Sequence, residues 1–192
     1  MLLFAGSNTV TNLAKYNNDW YDPGASLLKR ILWLWCNAVF FDSWLIPISS
    51  IKLRLLTSFG AEIGEGVVIK PRVKIKYPWR LKVGAHSWIG EGVWIDNLAE
   101  VVIAENVCVS QGALLLTGNH DYSDPAFGLK VAPIEIQGGA WIGAKSVVCP
   151  GARISEHVVI TVASVIGNDT EPYGIYRGSP AQLIKKRDIR DV

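Results

Sequence analysis

"IGEGVVIKPRVKIKYPWRLKVGAHSWIGEGVWID", residues 63–96, repeats itself at a spacing that neither a helix nor a simple hairpin has. Ile63, Ile69, Ile75 and Leu81 stand six apart, and after a two-residue slip so do Val83, Ile89, Ile95 and Val101. After a second slip come Ile103, Val109 and Leu115, and further on Ile136, Ile142, Val148, Ile154, Ile160 and Ile166. All 17 positions are Ile, Leu or Val, types that make up 56 of the 192 residues. Chance agreement of this kind is on the order of one in a million.

Four residues after each aliphatic the chain favours a small or short side chain, as at Val67, Val73, Ser87, Val93, Ala99, Val107, Ala113, Ala140, Ser146, Ala152, Val158, Ser164 and Thr170. Trp79 is the large exception. Glycine often follows the aliphatic, as in Ile63-Gly64, Ile89-Gly90 and Ile142-Gly143. A helix repeats at 3.6 residues and a strand at 2. A period of six instead fits a coil of short flat faces, with the aliphatic pointing in, the small residue at the corner and glycine easing the bend. Three faces close one turn, and turns stack about 4.8 Å apart. The prediction is a mainly β protein, a parallel β-helix of roughly five coils whose core is a column of Ile and Val.

Both ends of such a shaft need covering. Residues 1–60 are expected to supply an extended segment and capping helices, 61–170 the β-helix, and 171–192 a C-terminal capping helix. Within the first part, 22–44 is expected to be helical, with Asp22 and Ser26 as caps and Pro23 at the entry. A second helix is expected over 47–60, with Ile48, Ile51, Leu55 and Phe59 on one face and Gly60 at the stop. Trp20, Trp33, Trp35 and Trp44, beside Lys29 and Arg30, are expected to cover the shaft or a neighbouring subunit. The alternative is a peripheral membrane contact.

The bulk numbers exclude several classes. A net charge of +2 with no basic stripe argues against nucleic acid. Cys36, Cys108 and Cys149 are odd in number and scattered, so no disulfide framework is expected, and the compartment should be reducing. The start, "MLLFAGSNTVTNLAKYNND", has no basic region and is expected not to be a signal peptide. The longest apolar stretch, "ILWLWCNAVFF" (31–41), is short of the roughly 20 residues that span a bilayer. A cytoplasmic location is expected, with association at the inner membrane face left open.

The rhythm breaks once. From Leu115 to Ile136 the spacing is 21, and "TGNHDYSDPAFG" (117–128) opens the gap with turn-forming residues around His120. The loop over 117–135 therefore leaves the shaft. Excursions from a rigid scaffold tend to carry function, and histidine can accept a proton near neutrality. Its second ring nitrogen needs a partner, for which Asp121, Glu135 and a backbone carbonyl all qualify.

These repeats, the "TG.HD" loop, the "YNNDWYDPG" segment and "KPRVKIKYPWRLKVG" resemble the hexapeptide-repeat O-acetyltransferases, and among them those of colanic acid and other exopolysaccharide biosynthesis. The resemblance covers nearly the whole chain. It implies a left-handed β-helix, a homotrimer, acetyl-CoA as cosubstrate without a metal, and a sugar or glycan acceptor. It implies that His120 is the general base and that the backbone N–H of Ala144, after Trp141-Ile142-Gly143, is the oxyanion donor. Trp141, Gly143, Ala144, Val162 and Ala163 would meet the pantetheine arm of coenzyme A. This chain has "GND" (167–169) and Gln182 where the sugar enzymes carry other residues, which leaves Asn168 and Lys185, or Lys186, for the phosphates. Asp96, Asn97 and Asn119 are the expected acceptor contacts. Tyr77, Trp79 and Trp94 are either sugar-stacking or plain surface aromatics.

Two other classes stand beside this one. A β-helix can be a zinc carbonic anhydrase, which needs three converging histidines, whereas His86, His120 and His157 are the only ones and lie far apart. A non-catalytic scaffold predicts no coenzyme A binding. Within enzymes, an amino sugar, serine or a xenobiotic is the alternative acceptor.

Overall fold

The computed structural model describes residues 10–190. Residues 1–9 of the start expected not to be a signal peptide, and the last two residues of the expected C-terminal helix, lie outside that range.

Short parallel strands stack into three sheets, which are the three faces of a prism. Face one holds Glu62–Ile63, Leu81–Val83, Val101–Ile103, Ile134–Ile136 and Arg153–Ile154. Face two holds Val68–Ile69, Trp88–Ile89, Cys108–Val109, Trp141–Ile142, Val159–Ile160 and then Gly174–Gly178. Face three holds Lys74–Ile75, Trp94–Asp96, Leu114–Leu116, Val147–Val148 and Val165–Ile166. That makes five full coils with a sixth begun on face two. The predicted aliphatics stack in register: Val83 on Ile103 on Ile136 on Ile154 in face one, and Ile89 on Val109 on Ile142 on Ile160 in face two. All are essentially without solvent contact. Burying each such side chain is worth about 1.5–3 kcal/mol relative to leaving it exposed.

The two-residue slips have a local cause. The corner between faces three and one is two residues longer in the first two coils, and Pro78–Arg80 forms a 3-10 turn there. Leu81 and Val83 stand two apart on one strand, so both point inward and both are buried. Trp79, the large residue in a small-residue place, turns outward against the N-terminal segment and donates its indole N–H to Pro23 O at 2.8 Å.

The first coil has free strand edges, and side chains of two helices satisfy them. Helix α1 (Leu27–Cys36) continues into a π-helical turn over Asn37–Phe41. Helix α2 spans Ser49–Ser58. Trp33 donates Nε1–H to Ile75 O at 2.8 Å, and Asn37 Oδ1 accepts from Ile75 N at 3.1 Å. Ser49 Oγ accepts from Ile69 N at 2.9 Å, and the Lys52 ammonium donates to Lys70 O at 2.9 Å. These bonds occupy backbone groups that would otherwise be buried unpaired. Lys52 is fully buried, and desolvation lowers its pKa.

Three expectations need correction. The first helix is shorter than 22–44: Ser26 is its cap, accepting from Lys29 N, while Asp22 bonds Gly24 N in a turn before it. The second helix packs Leu55 and Phe59 against the core as expected, but its fully buried residues are Lys52 and Leu56, and Ile48 stays exposed. The polar ends of Lys52 and Ser49 are the groups that reach the free strand edges. Among the described residues the C-terminal helix is absent. Gly174–Gly178 and Ala181–Lys186 form an antiparallel hairpin through Ser179-Pro180, and its first strand pairs with Val159–Ile160. The hairpin gives the last edge of face two a strand partner, whereas its first edge is met by side chains of α2.

Replacing Ile95 by Ala should cost about 2–5 kcal/mol in urea unfolding, because the column cannot close around the void. Val102→Ala, on the outer side of face one, should cost under about 1 kcal/mol.

Candidate functional site

The excursion after face three folds as a β-hairpin, with Gly118–His120 antiparallel to Leu129–Val131. Its tip is held by Asp124, whose carboxylate accepts from Ala126 N at 2.9 Å and Gly128 N at 3.0 Å. This turn brings Phe127 O to 2.8 Å from His120 Nδ1. A carbonyl can only accept, so in the neutral ring Nδ1 carries the proton and Nε2 the lone pair. The three partners that the sequence left open thus resolve to a backbone carbonyl within the loop. Asp121 is bound to Lys130 at 2.7 Å and to Ser123, and Glu135 to Arg153 at 3.5 Å. The hydrogen bonds from Lys130 and Ser123 hold the Asp121 pKa far below the usual carboxylate range. Phe127 stacks on the imidazole at 5.2 Å, and Tyr16 meets it edge-on at 5.8 Å.

His120 opens into a cavity of about 620 Å³ lined by Tyr16, Asn18, Asp19, Tyr21, Pro23, Arg30, Lys76, Tyr77, Leu98 and Leu129. Half of that wall is the "YNNDWYDPG" segment (16–24), which reaches the corner at Arg80, and just before it Asn12 N donates to Pro125 O of the loop at 2.7 Å. Arg80 donates to Leu98 O and Asp22 O, and its guanidinium lies 5.3 Å from the Tyr21 ring. Tyr21 donates to Leu98 O at 2.7 Å, and burial pushes its pKa up to about 12. It therefore stays a neutral donor. Tyr16, Asn18 and Asp19 are not singled out from sequence, and Arg30 is named there only beside the tryptophans. The available signal was a polar and aromatic segment with neither helical nor six-residue period.

The expected acceptor residues fare differently. Asn97 is fully buried, and its amide is spent on Tyr77 N, Tyr77 O and Arg80 O, so it has nothing left for a ligand. Asp96 is paired with Lys76 at 2.9 Å and borders a second groove beside α1 rather than the His120 cavity. Asn119 is exposed, with its Oδ1 accepting from His120 N at 2.8 Å. Tyr77 lines the cavity, Trp94 the second groove, and Trp79 is taken up by Pro23 and by Lys29, whose ammonium lies 5.0 Å from its ring.

The residues expected to hold coenzyme A sit elsewhere on the prism. Trp141 projects half-exposed from face two, its indole N–H held by Ser110 Oγ at 2.8 Å. Gly143 and Ala144 form the corner between faces two and three, beside Val162 and Ala163 of the next coil, where Ala163 N donates to Ala144 O. A Cβ on Gly143 would lie 2.6 Å from Ile160 O, so that approach requires glycine. The N–H groups of Ala144 and Val162 have no acceptor among the described residues. Asn168 is exposed at the last corner. Lys185 pairs opposite Ile175, which continues the row of Trp141 and Val159, so its side chain leaves the same outer side of face two. Lys186 is instead engaged by Glu171 at 2.9 Å.

His120 rises from the corner between faces three and one, whereas Ala144 lies at the corner between faces two and three. Face three separates them by about six residues of extended chain, roughly 20 Å. Among the described residues no group of three or more His, Cys, Asp or Glu side chains is placed to hold a metal ion. His86 and His157 occupy the remaining corner, and His157 stacks on Tyr173 at 4.7 Å.

The loop geometry makes a spectroscopic prediction. Nitrogen-15 NMR of neutral His120 should show Nδ1 protonated and Nε2 bare, and Asp121→Asn should leave that pattern unchanged. Loss of the pattern in Asp121→Asn would make the carboxylate, not Phe127 O, the orienting partner.

No protein-family model matches the chain. It is 34% identical over 164 residues to WcaF of Escherichia coli K12, named as a colanic acid biosynthesis acetyltransferase, covering 85% of this chain and 90% of that protein. The fold resembles a hexapeptide-repeat acetyltransferase of Vibrio cholerae crystallised with acetyl-CoA, with a TM-score of 0.77, 21% identity and coverage of 86% and 92% of the two chains. It also resembles a galactoside acetyltransferase in complex with coenzyme A, with a TM-score of 0.73, 24% identity and coverage of 83% and 80%. The prism, the hairpin excursion and the extent of the sequence match together place this chain in the hexapeptide-repeat acetyltransferase family, close to WcaF.

Proposed function

We propose that this protein moves an acetyl group from acetyl-CoA to a sugar hydroxyl of a glycan in exopolysaccharide, capsule or lipopolysaccharide-type biosynthesis. The site is shared by two subunits of a homotrimer in the cytoplasm, where acetyl-CoA is supplied. The observation that carries this reading is the His120 Nδ1 to Phe127 O contact of 2.8 Å, which leaves the imidazole with a basic Nε2 at the edge of a sugar-sized cavity.

In this reading Nε2 removes the acceptor hydroxyl proton as the oxygen attacks the thioester carbonyl carbon. The N–H of Ala144 receives the oxyanion. Collapse breaks the carbon–sulfur bond, and the imidazolium returns its proton to the departing thiolate. The ester and the free thiol are the products. Trp141, Val162 and Ala163 flank the pantetheine arm, while Asn168 and Lys185 meet the phosphates. The distance of about 20 Å between the two corners within one chain supports a neighbouring subunit bringing its Ala144 corner to this His120. Asp19, Asn18, Arg30 and Tyr77 replace Asn97 as acceptor contacts, together with Asn119 next to His120; Asp96 acts through Lys76.

Thiol release from acetyl-CoA, measured across a panel of nucleotide sugars and lipid-linked oligosaccharides, tests this. At least one acceptor should stimulate release, and His120→Ala should lower turnover about 10²- to 10⁴-fold. Release that ignores the substitution contradicts the role of His120. Absence of release with every acceptor favours a non-catalytic β-helix.

A further inference from the structure

Helix α1 is apolar nearly all the way round, yet among the described residues only Trp33 and Phe41 of this helix and its π turn are buried. Leu28, Leu32, Trp35 and Val39 form one outward stripe at helical spacing, and Leu45 and Ile48 extend it beyond the turn. Trp35 is 68% and Leu45 80% exposed. A contiguous surface of this kind marks a contact. No described helix is long and apolar enough to cross a membrane.

Charge indicates what meets it. Residues 23–82 carry ten Lys and Arg against three Asp and Glu, whereas the rest of the chain carries nine against fourteen. Arg54, Lys70 and Arg72 are exposed and have no carboxylate partner among the described residues, and the Arg72 guanidinium lies 5.9 Å from the Trp44 ring. An apolar stripe with an exposed arginine near a tryptophan, on the basic part of the chain, is the arrangement of an interfacial helix, whose apolar side enters the acyl boundary while cations meet headgroup phosphates. A second copy docked through the same surface would set these cations against one another.

We propose that the outer side of α1, with residues 42–48, seats this protein on an anionic bilayer and holds the His120 cavity at the membrane surface. The groove of Leu27, Ile31, Leu34 and Trp94 runs beside α1 and shares Arg30, Lys76 and Tyr77 with that cavity. An acceptor whose sugar is carried on a membrane lipid would thus reach Nε2 without leaving the bilayer. This last step rests on the acetyl-transfer reading, whereas membrane seating does not.

The full chain, sedimented with phosphatidylcholine vesicles containing phosphatidylglycerol, should enter the pellet at low salt and leave it as salt rises. It should stay in the supernatant with phosphatidylcholine alone. Leu32→Glu combined with Trp35→Glu should weaken partitioning at least about tenfold, with unfolding temperature and sedimentation coefficient unchanged. Arg54→Glu combined with Arg72→Glu should remove the preference for anionic vesicles. Wild-type protein that never pellets would overturn the proposal, as would a Leu32→Glu, Trp35→Glu variant whose oligomeric state changes, since the stripe would then be a contact between copies. Neither readout depends on turnover, so failure of acetyl transfer and failure of membrane seating are separable.

Discussion

Stacking of inward Ile and Val side chains at strand spacing is the constraint on which everything else here depends. Each coil has little core of its own, because its faces are two or three residues long. Only when Ile89 lies on Val109 and Val109 on Ile142 does the column exclude water. Register along the shaft follows, since a slip of one residue would expose the whole column. Every corner is then fixed relative to every other. The chain can depart from the prism at one corner and return without disturbing the coils above and below.

The hairpin at residues 118–131 uses that rigidity. The imidazole sits on a two-stranded arm whose base is clamped by the third and fourth coils, and the arm's own tip orients the ring. Buried polar side chains hold the wall opposite. Asn97 and Arg80 bind the long corner together, and the segment carrying Tyr16 and Tyr21 is strapped across it. Specificity for an acceptor therefore resides in a wall added to the prism, not in the prism itself. Relatives with the same coils can carry different walls.

The period of six was legible because a β-helix writes its core directly into sequence, and the two-residue slips marked the long corners at Lys76–Arg80 and Asn97–Glu100. The break around His120 stood out for the same reason. Other features depend on contacts with no local signature. Pro180 suits a helix entry as well as a hairpin turn, and only the open edge of face two decides between them. Asn97 looks like a free polar side chain until the corner backbone around Tyr77 closes on it. Lys52 is buried because a strand carbonyl needed a donor, which no amphipathic pattern announces.

The central claim is that base and oxyanion donor belong to different subunits, and co-assembly of two damaged chains tests it most directly. Ala144→Pro deletes the donor N–H. The backbone at that corner tolerates proline, because Pro71 occupies the matching position of the first coil, two residues after Ile69 as Ala144 is after Ile142. His120→Ala and Ala144→Pro assemblies should each be inactive alone. Mixed in equal amounts before assembly, they should recover about a quarter of wild-type turnover, since one site in four then pairs an intact imidazole with an intact donor. Mixed assemblies as inactive as their parents would place both groups within one chain and contradict the account.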